Sequence, residues 1–150
     1  MTRPVRVLSA GRGQGVALVL LEPVSFWGGV DPATGRLIDR SHPQHGESVA
    51  GRVLVMAVGR GSSSSSAVLA ESIRLGTAPA AIVLAHPDPI LTVGAIVAEF
   101  LYGRRCPVVV GAIEGIETGL RIVVEADAPD AARLRVGPAS VDASDATHTS

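Results

Sequence analysis

The chain has 150 residues and a formal net charge of −1, enough for one domain with a full core but not for two. Apolar residues make up 47% of it, which excludes a disordered chain, and the near-neutral charge without a long basic run excludes a nucleic-acid footprint. No stretch reaches the roughly 18 consecutive apolar residues of a membrane span, and Met1 to Ala10 lacks the apolar run of a signal peptide, so a soluble cytoplasmic protein is expected.

Aromatic residues are only 3%, so the core must be built from Val, Leu, Ile and Ala, which suits strands covered by helices. Every basic residue is Arg, 13 in all. A single cysteine, Cys106, can form no internal disulfide and cannot hold an iron–sulfur cluster alone.

Taken in order, Val5 to Leu8 reads as a short strand. Gly11, Gly13 and Gly15 are expected to punctuate a hairpin turn before a buried strand from Val16 to Leu21. They do not match the dinucleotide fingerprint, because Val16 stands where its third Gly should be. Ser25 to Glu47 has no clear periodicity and is long for a connection, so it reads as an ordered functional loop. It holds the only Trp, Trp27, together with Asp31, Asp39, His42 and His45. Val53 to Val58 is a strand, Ala67 to Leu75 a helix capped by Gly76, and Ala80 to Ala85 another buried strand. Leu91 to Tyr102 is a second helix, stopped near Gly103. Pro107 to Val110 and Leu120 to Val124 are later strands. Leu134 to Val136 could add an edge strand before a frayed tail from Gly137 to Ser150. Strands alternate with helices in the middle, so an α/β layered domain follows. The opening pair of strands argues against a purely doubly wound sheet.

Val58-Gly59-Arg60-Gly61 followed by Ser62, Ser63, Ser64, Ser65 and Ser66 is the most informative segment. Serines alone suggest a linker, but this run lies between a buried strand and an amphipathic helix that must share a core. Strand, Gly-rich turn and helix N-terminus together make an anion site. The first helical N–H groups lack partners, and the helix dipole is positive there. Gly59 and Gly61 let a ligand approach the backbone, a serine is expected to N-cap the helix, and Arg60 adds a fixed charge. The segment is not a P-loop, since it has no Lys. A well-capped helix with incidental serines remains the plainer alternative.

Five separated blocks then resemble one family. Ser25-Phe26-Trp27-Gly28-Gly29-Val30-Asp31, Thr34-Gly35 with Asp39, His42 to Ser48, Gly59 to Ser63, and Asp88-Pro89-Ile90 with Gly94 to Val97 are similar, in order and spacing, to the small-subunit swivel domain of the aconitase X family. The resemblance covers roughly residues 4 to 126. It implies a single swivelling β/β/α domain resembling the mobile fourth domain of aconitase over residues 1–126, with 127–150 as a C-terminal extension. It further implies a hydro-lyase small subunit, paired as a heterodimer with a large subunit that carries the iron–sulfur cluster; no cofactor is expected on this chain alone. The substrate class implied is a small hydroxy acid, cis-3-hydroxy-L-proline being favoured over mevalonate 5-phosphate.

By position, the resemblance makes Ser62 the catalytic base, acting as an alkoxide, with Arg60, Gly61, Ser63 and Ser64 as substrate-binding residues. The substrate-binding Arg of aconitase, two residues after the serine, is Ser64 here and cannot be carried over. Arg60 is the candidate to replace it. Trp27, Asp31 and His42 are expected to shape the long loop or face the partner, and no metal is expected on Asp31, Asp39, His42 and His45. Cys106 reads as a structural thiol. The rival reading is a non-catalytic swivel module that binds an anion or docks on a partner. A self-sufficient serine hydrolase is disfavoured, because Ser62 lacks a nucleophile-elbow pattern.

Overall fold

The computed structural model describes residues 1–139. Eight strands form one curled sheet in the order β1-β8-β7-β3-β4-β5-β6-β2. They are β1 (Thr2–Pro4), β2 (Arg6–Ser9), β3 (Gly11–Val19), β4 (Val53–Met56), β5 (Ala81–Leu84), β6 (Val108–Val110), β7 (Leu120–Ala126) and β8 (Arg133–Ala139). The helices are a single turn, α1 (Phe26–Gly29), then α2 (Ser65–Leu75) and α3 (Pro89–Tyr102). Strands β3 to β6 run parallel, with β2 antiparallel on β6. β3 also pairs antiparallel with β7, which continues through β8 to β1.

Strand periodicity divides the core into two clusters, because successive side chains point to opposite faces. Leu54, Met56, Ile82, Leu84 and Val108 pack with Leu69, Ile73, Leu91 and Ala95 of the helices. Val53, Val55, Ala81, Val83 and Val109 pack instead with Ile122, Val124, Leu134 and Val136 of the antiparallel strands. Helices, parallel strands and antiparallel strands thus form three layers, the β/β/α arrangement that the family resemblance implies. Both helices end at a left-handed glycine, Gly76 at φ 79° and Gly103 at φ 66°. The outer face of α3 is apolar and exposed, with Phe100 at 86%.

Two expectations are corrected. Gly11, Gly13 and Gly15 form no turn; they lie inside β3, which runs nine residues from Gly11 to Val19. A Cβ at Gly13 would overlap the Ala80 carbonyl oxygen, and one at Gly15 would stand 2.5 Å from that of Gly51. These glycines let loops of the parallel layer cross closely over β3. Second, β8 is not an edge strand. It lies between β1 and β7, and Leu134 is fully buried, so residues 133–139 belong to the sheet. Of the expected tail, residues 140–150 lie outside the described residues.

Candidate functional site

The C-terminal ends of β4 and β5 open toward the same place, the usual position of a ligand crevice in a parallel sheet. β4 leads through Ala57 and Val58 into Gly59, Arg60, Gly61 and Ser62, and then into α2. β5 leads through Ala85 to Asp88 into α3. Between the two helix N-termini lies a cavity of about 200 Å³ lined by residues that include Val24, Val58, Arg60, Gly61, Asp88 and Leu91. Its walls are mainly apolar, with one guanidinium and one carboxylate.

Gly61 has φ 102°, in the left-handed region that favours glycine, and a side chain there would collide with the Ser25 hydroxyl. The chain therefore turns sharply at Gly61 and sets Ser62 on the exposed rim. Ser62 Oγ accepts a hydrogen bond from Ser64 N–H at 3.1 Å. Ser62, Ser63 and Ser64 are all exposed and stand beside the cavity, outside its lining.

The expected serine cap on α2 is absent. Ser64 occupies the N-cap position with helical angles, φ −62° and ψ −17°, and its side chain makes no cap bond. A capping residue normally has extended angles that aim its oxygen at the next amides, and Ser64 does not. Backbone carbonyls serve instead: Ser65 N–H donates to Ser62 O, Ser66 N–H to Ser63 O, and Ala67 N–H to Ser64 O. The donors left over are one step earlier. Among the described residues, no acceptor takes the N–H of Ser62 or Ser63.

Ser65 and Ser25 are functional-site neighbours that sequence reasoning missed. Ser65 is buried, and its Oγ accepts from Trp27 N–H at 3.0 Å and lies 3.4 Å from Ser25 Oγ. Ser25 in turn donates to the Trp27 carbonyl at 2.9 Å. This ties the start of the long loop to the first turn of α2 and holds Trp27, 59% exposed, beside the serine run.

The remaining candidates lie elsewhere in that loop. Asp31 accepts from Ala33 N–H at 3.0 Å and from the Thr34 hydroxyl at 3.2 Å, an Asx turn. His42 is buried at 6% exposure. Its Nδ1 accepts from Gln44 N–H at 3.0 Å, so the proton sits on Nε2, which donates to the Glu22 carbonyl at 2.8 Å. The Ser41 hydroxyl and N–H hold the half-buried Asp39 carboxyl below its usual range. No group of three or more His, Cys, Asp or Glu among the described residues could hold a metal ion. Cys106 is buried, and burial pushes its thiol up to about 12. A lone buried thiol, with no group of three or more His, Cys, Asp or Glu among the described residues to join it, does not fit an iron–sulfur cluster.

The aconitase X swivel domain matches residues 3–131. The chain belongs to the aconitase X swivel-domain family. A solved structure titled aconitase X from Thermococcus kodakaraensis, in its holo-form, superposes with a TM-score of 0.80 and 31% identity, covering 91% of this chain and 98% of that one. The cis-3-hydroxy-L-proline dehydratase of Pseudomonas aeruginosa is 52% identical over 103 residues, 69% of this chain but only 18% of that protein. The phosphomevalonate dehydratase small subunit of Methanothermobacter thermautotrophicus is 50% identical over 93 residues, 62% of this chain and 71% of that one. The swivel domain thus occurs both within a longer dehydratase chain and as a separate small subunit.

Proposed function

We propose that this chain is the small subunit of an aconitase-X-type dehydratase, a hydro-lyase in which Ser62 acts as the base. The observation that carries this reading is the placement of Ser62. It stands directly after a left-handed glycine, just ahead of the positive end of α2, with the N–H groups of Ser62 and Ser63 unengaged among the described residues and Arg60 two positions earlier in the chain. Removal of a weakly acidic C–H proton needs a serine alkoxide, and an alkoxide needs donors and fixed positive charge in a site shielded from water. The loop supplies the donors and the charge. Ser62 is open to solvent in this chain, so the shielding must come from a large partner subunit that closes over the rim, as a heterodimer. On this reading any iron–sulfur cluster belongs to the partner.

The substrate favoured is a compact hydroxy acid of the cis-3-hydroxy-L-proline type. A cavity of about 200 Å³ holding one guanidinium and one carboxylate suits a small substrate with a single anionic group better than a phosphate monoester. Arg60 is the proposed carboxylate contact, with Gly61, Ser63 and Ser64 presenting backbone and hydroxyl groups beside it. The test is co-expression with an aconitase X large subunit, followed by assay of water loss from cis-3-hydroxy-L-proline and from mevalonate 5-phosphate. Turnover of the first and its loss in Ser62→Ala are expected, with the two chains still co-purifying. Wild-type turnover by Ser62→Ala removes the base assignment. The absence of Ser62 from the cavity lining favours the rival, a non-catalytic anion-binding module; failure of both substrates in an assembled complex would support it.

A further inference from the structure

Gly59 precedes the serine loop, and its backbone is not in the left-handed region. A positive φ is therefore not what reserves this position for glycine. What excludes a side chain is one neighbour. A Cβ at Gly59 would overlap Asp88 Oδ2 and stand 2.7 Å from Asp88 Cγ, whereas the next atom, Leu91 Cδ1, lies at an ordinary 3.4 Å.

Asp88 is not free to retreat. It is the N-cap of α3, and its Oδ1 accepts from Ile90 N–H at 2.9 Å and Leu91 N–H at 3.1 Å. Its carbonyl accepts from the Thr92 hydroxyl at 2.7 Å and from Thr92 N–H at 3.1 Å. The side chain is buried, at 8% exposure. One carboxylate oxygen is therefore locked into the first turn of α3, and the other is pressed against the backbone that leads to Ser62.

We propose that Asp88 is a positioning residue for Ser62, seating the Gly59–Ser62 segment against the first turn of α3. This rests on the reading of that segment as the catalytic loop. The seat works by shape rather than charge. An Asn at 88 keeps the capping oxygen and puts an amide of nearly the same size where Oδ2 stands. An Ala loses both. Because the obstruction at Gly59 is the Asp88 side chain alone, the two positions must also be coupled: a methyl added at 59 is harmful with Asp88 present and fills vacated space once it is gone.

The experiment is a mutant cycle of G59A, D88A, D88N and G59A/D88A in the full chain. It is read twice. Amide resonances of residues 60–65 report the loop in the isotope-labelled chain alone. Turnover of cis-3-hydroxy-L-proline by the complex with the large subunit reports the chemistry. G59A and D88A are each expected to move the loop resonances and lower kcat about tenfold, with KM raised alongside, since Arg60 rides on the same segment as the base. D88N is expected to retain most of kcat. The double variant is expected to recover relative to G59A instead of multiplying the two losses. Unmoved resonances in G59A, multiplied losses in the double variant, or a D88N as damaged as D88A would overturn the seat. Resonances that follow the cycle while turnover ignores it would leave the seat standing and remove the catalytic reading of the loop.

Discussion

The N-termini of α2 and α3 occupy equivalent places, each following a parallel strand of the same sheet, yet they are finished differently. α3 is sealed: Asp88 takes two of its first amides through a buried carboxylate, and Pro89 at the first position has no N–H to satisfy. α2 is open: Ser64 makes no cap, the first-turn amides lean back on the carbonyls of Ser62 to Ser64, and the run from Gly61 to Ser64 stays exposed. The contrast teaches that a buried side chain closes one end, whereas backbone carbonyls alone finish the other and leave its loop exposed. The sealed end also braces the open one, through Asp88 and Gly59.

The largest effect should fall on the open end. Replacing Ser62 by Ala is expected to lower turnover by a factor of about 10² to 10⁴, the usual worth of a positioned base, with assembly unchanged on size-exclusion chromatography. A loss below threefold would erase the functional half of the contrast. Next, Arg60→Ala should raise KM about tenfold with a smaller change in kcat, as expected when one charged contact to a carboxylate is removed. Steady-state kinetics over a range of substrate concentrations separates the two parameters.

Stability should show the reverse order. Asp88→Ala removes a working cap and is expected to destabilise the chain by about 1–2 kcal/mol. Ser64→Ala removes a hydroxyl that caps nothing and should stay within about 0.5 kcal/mol. Urea midpoints of the two variants check this, and a Ser64→Ala as costly as Asp88→Ala would show that α2 is capped after all.

The smallest expected effect is alkaline and lies away from both helix N-termini. Burial raises the Cys106 thiol from 9.0 to about 12. The folded chain keeps that proton where the unfolded chain has released it, so stability is full below pH 9 and declines as pH rises toward 12. Cys106→Ala should show a shallower decline in the same urea series, and an identical slope would mean that the thiol does not contribute.

Much of this was legible in residue order. The apolar runs at Val53 and Ala80, the helical spacing from Ala67 and from Leu91, and the glycines at 76 and 103 act over a few residues and announce themselves locally. The strand–Gly–Ser–helix segment likewise marked the sheet end where the cavity lies, while Ser62, Ser63 and Ser64 stand outside its lining. The serine cap did not follow, because whether a hydroxyl caps depends on backbone angles that composition does not reveal.

Residue order alone therefore determined the alternating strands and helices of the middle, the polar turn that begins at Gly59 and the family to which the chain belongs. Tertiary structure alone decided that Gly13 is a crossing point under Ala80, that Leu134 and Val136 complete a core, that Ser65 anchors Trp27, and that Asp88 presses on Gly59. The physical reason is range. Periodicity, capping and turn chemistry arise between near neighbours along the chain, whereas these contacts join residues far apart in sequence and exist only once the layers have packed.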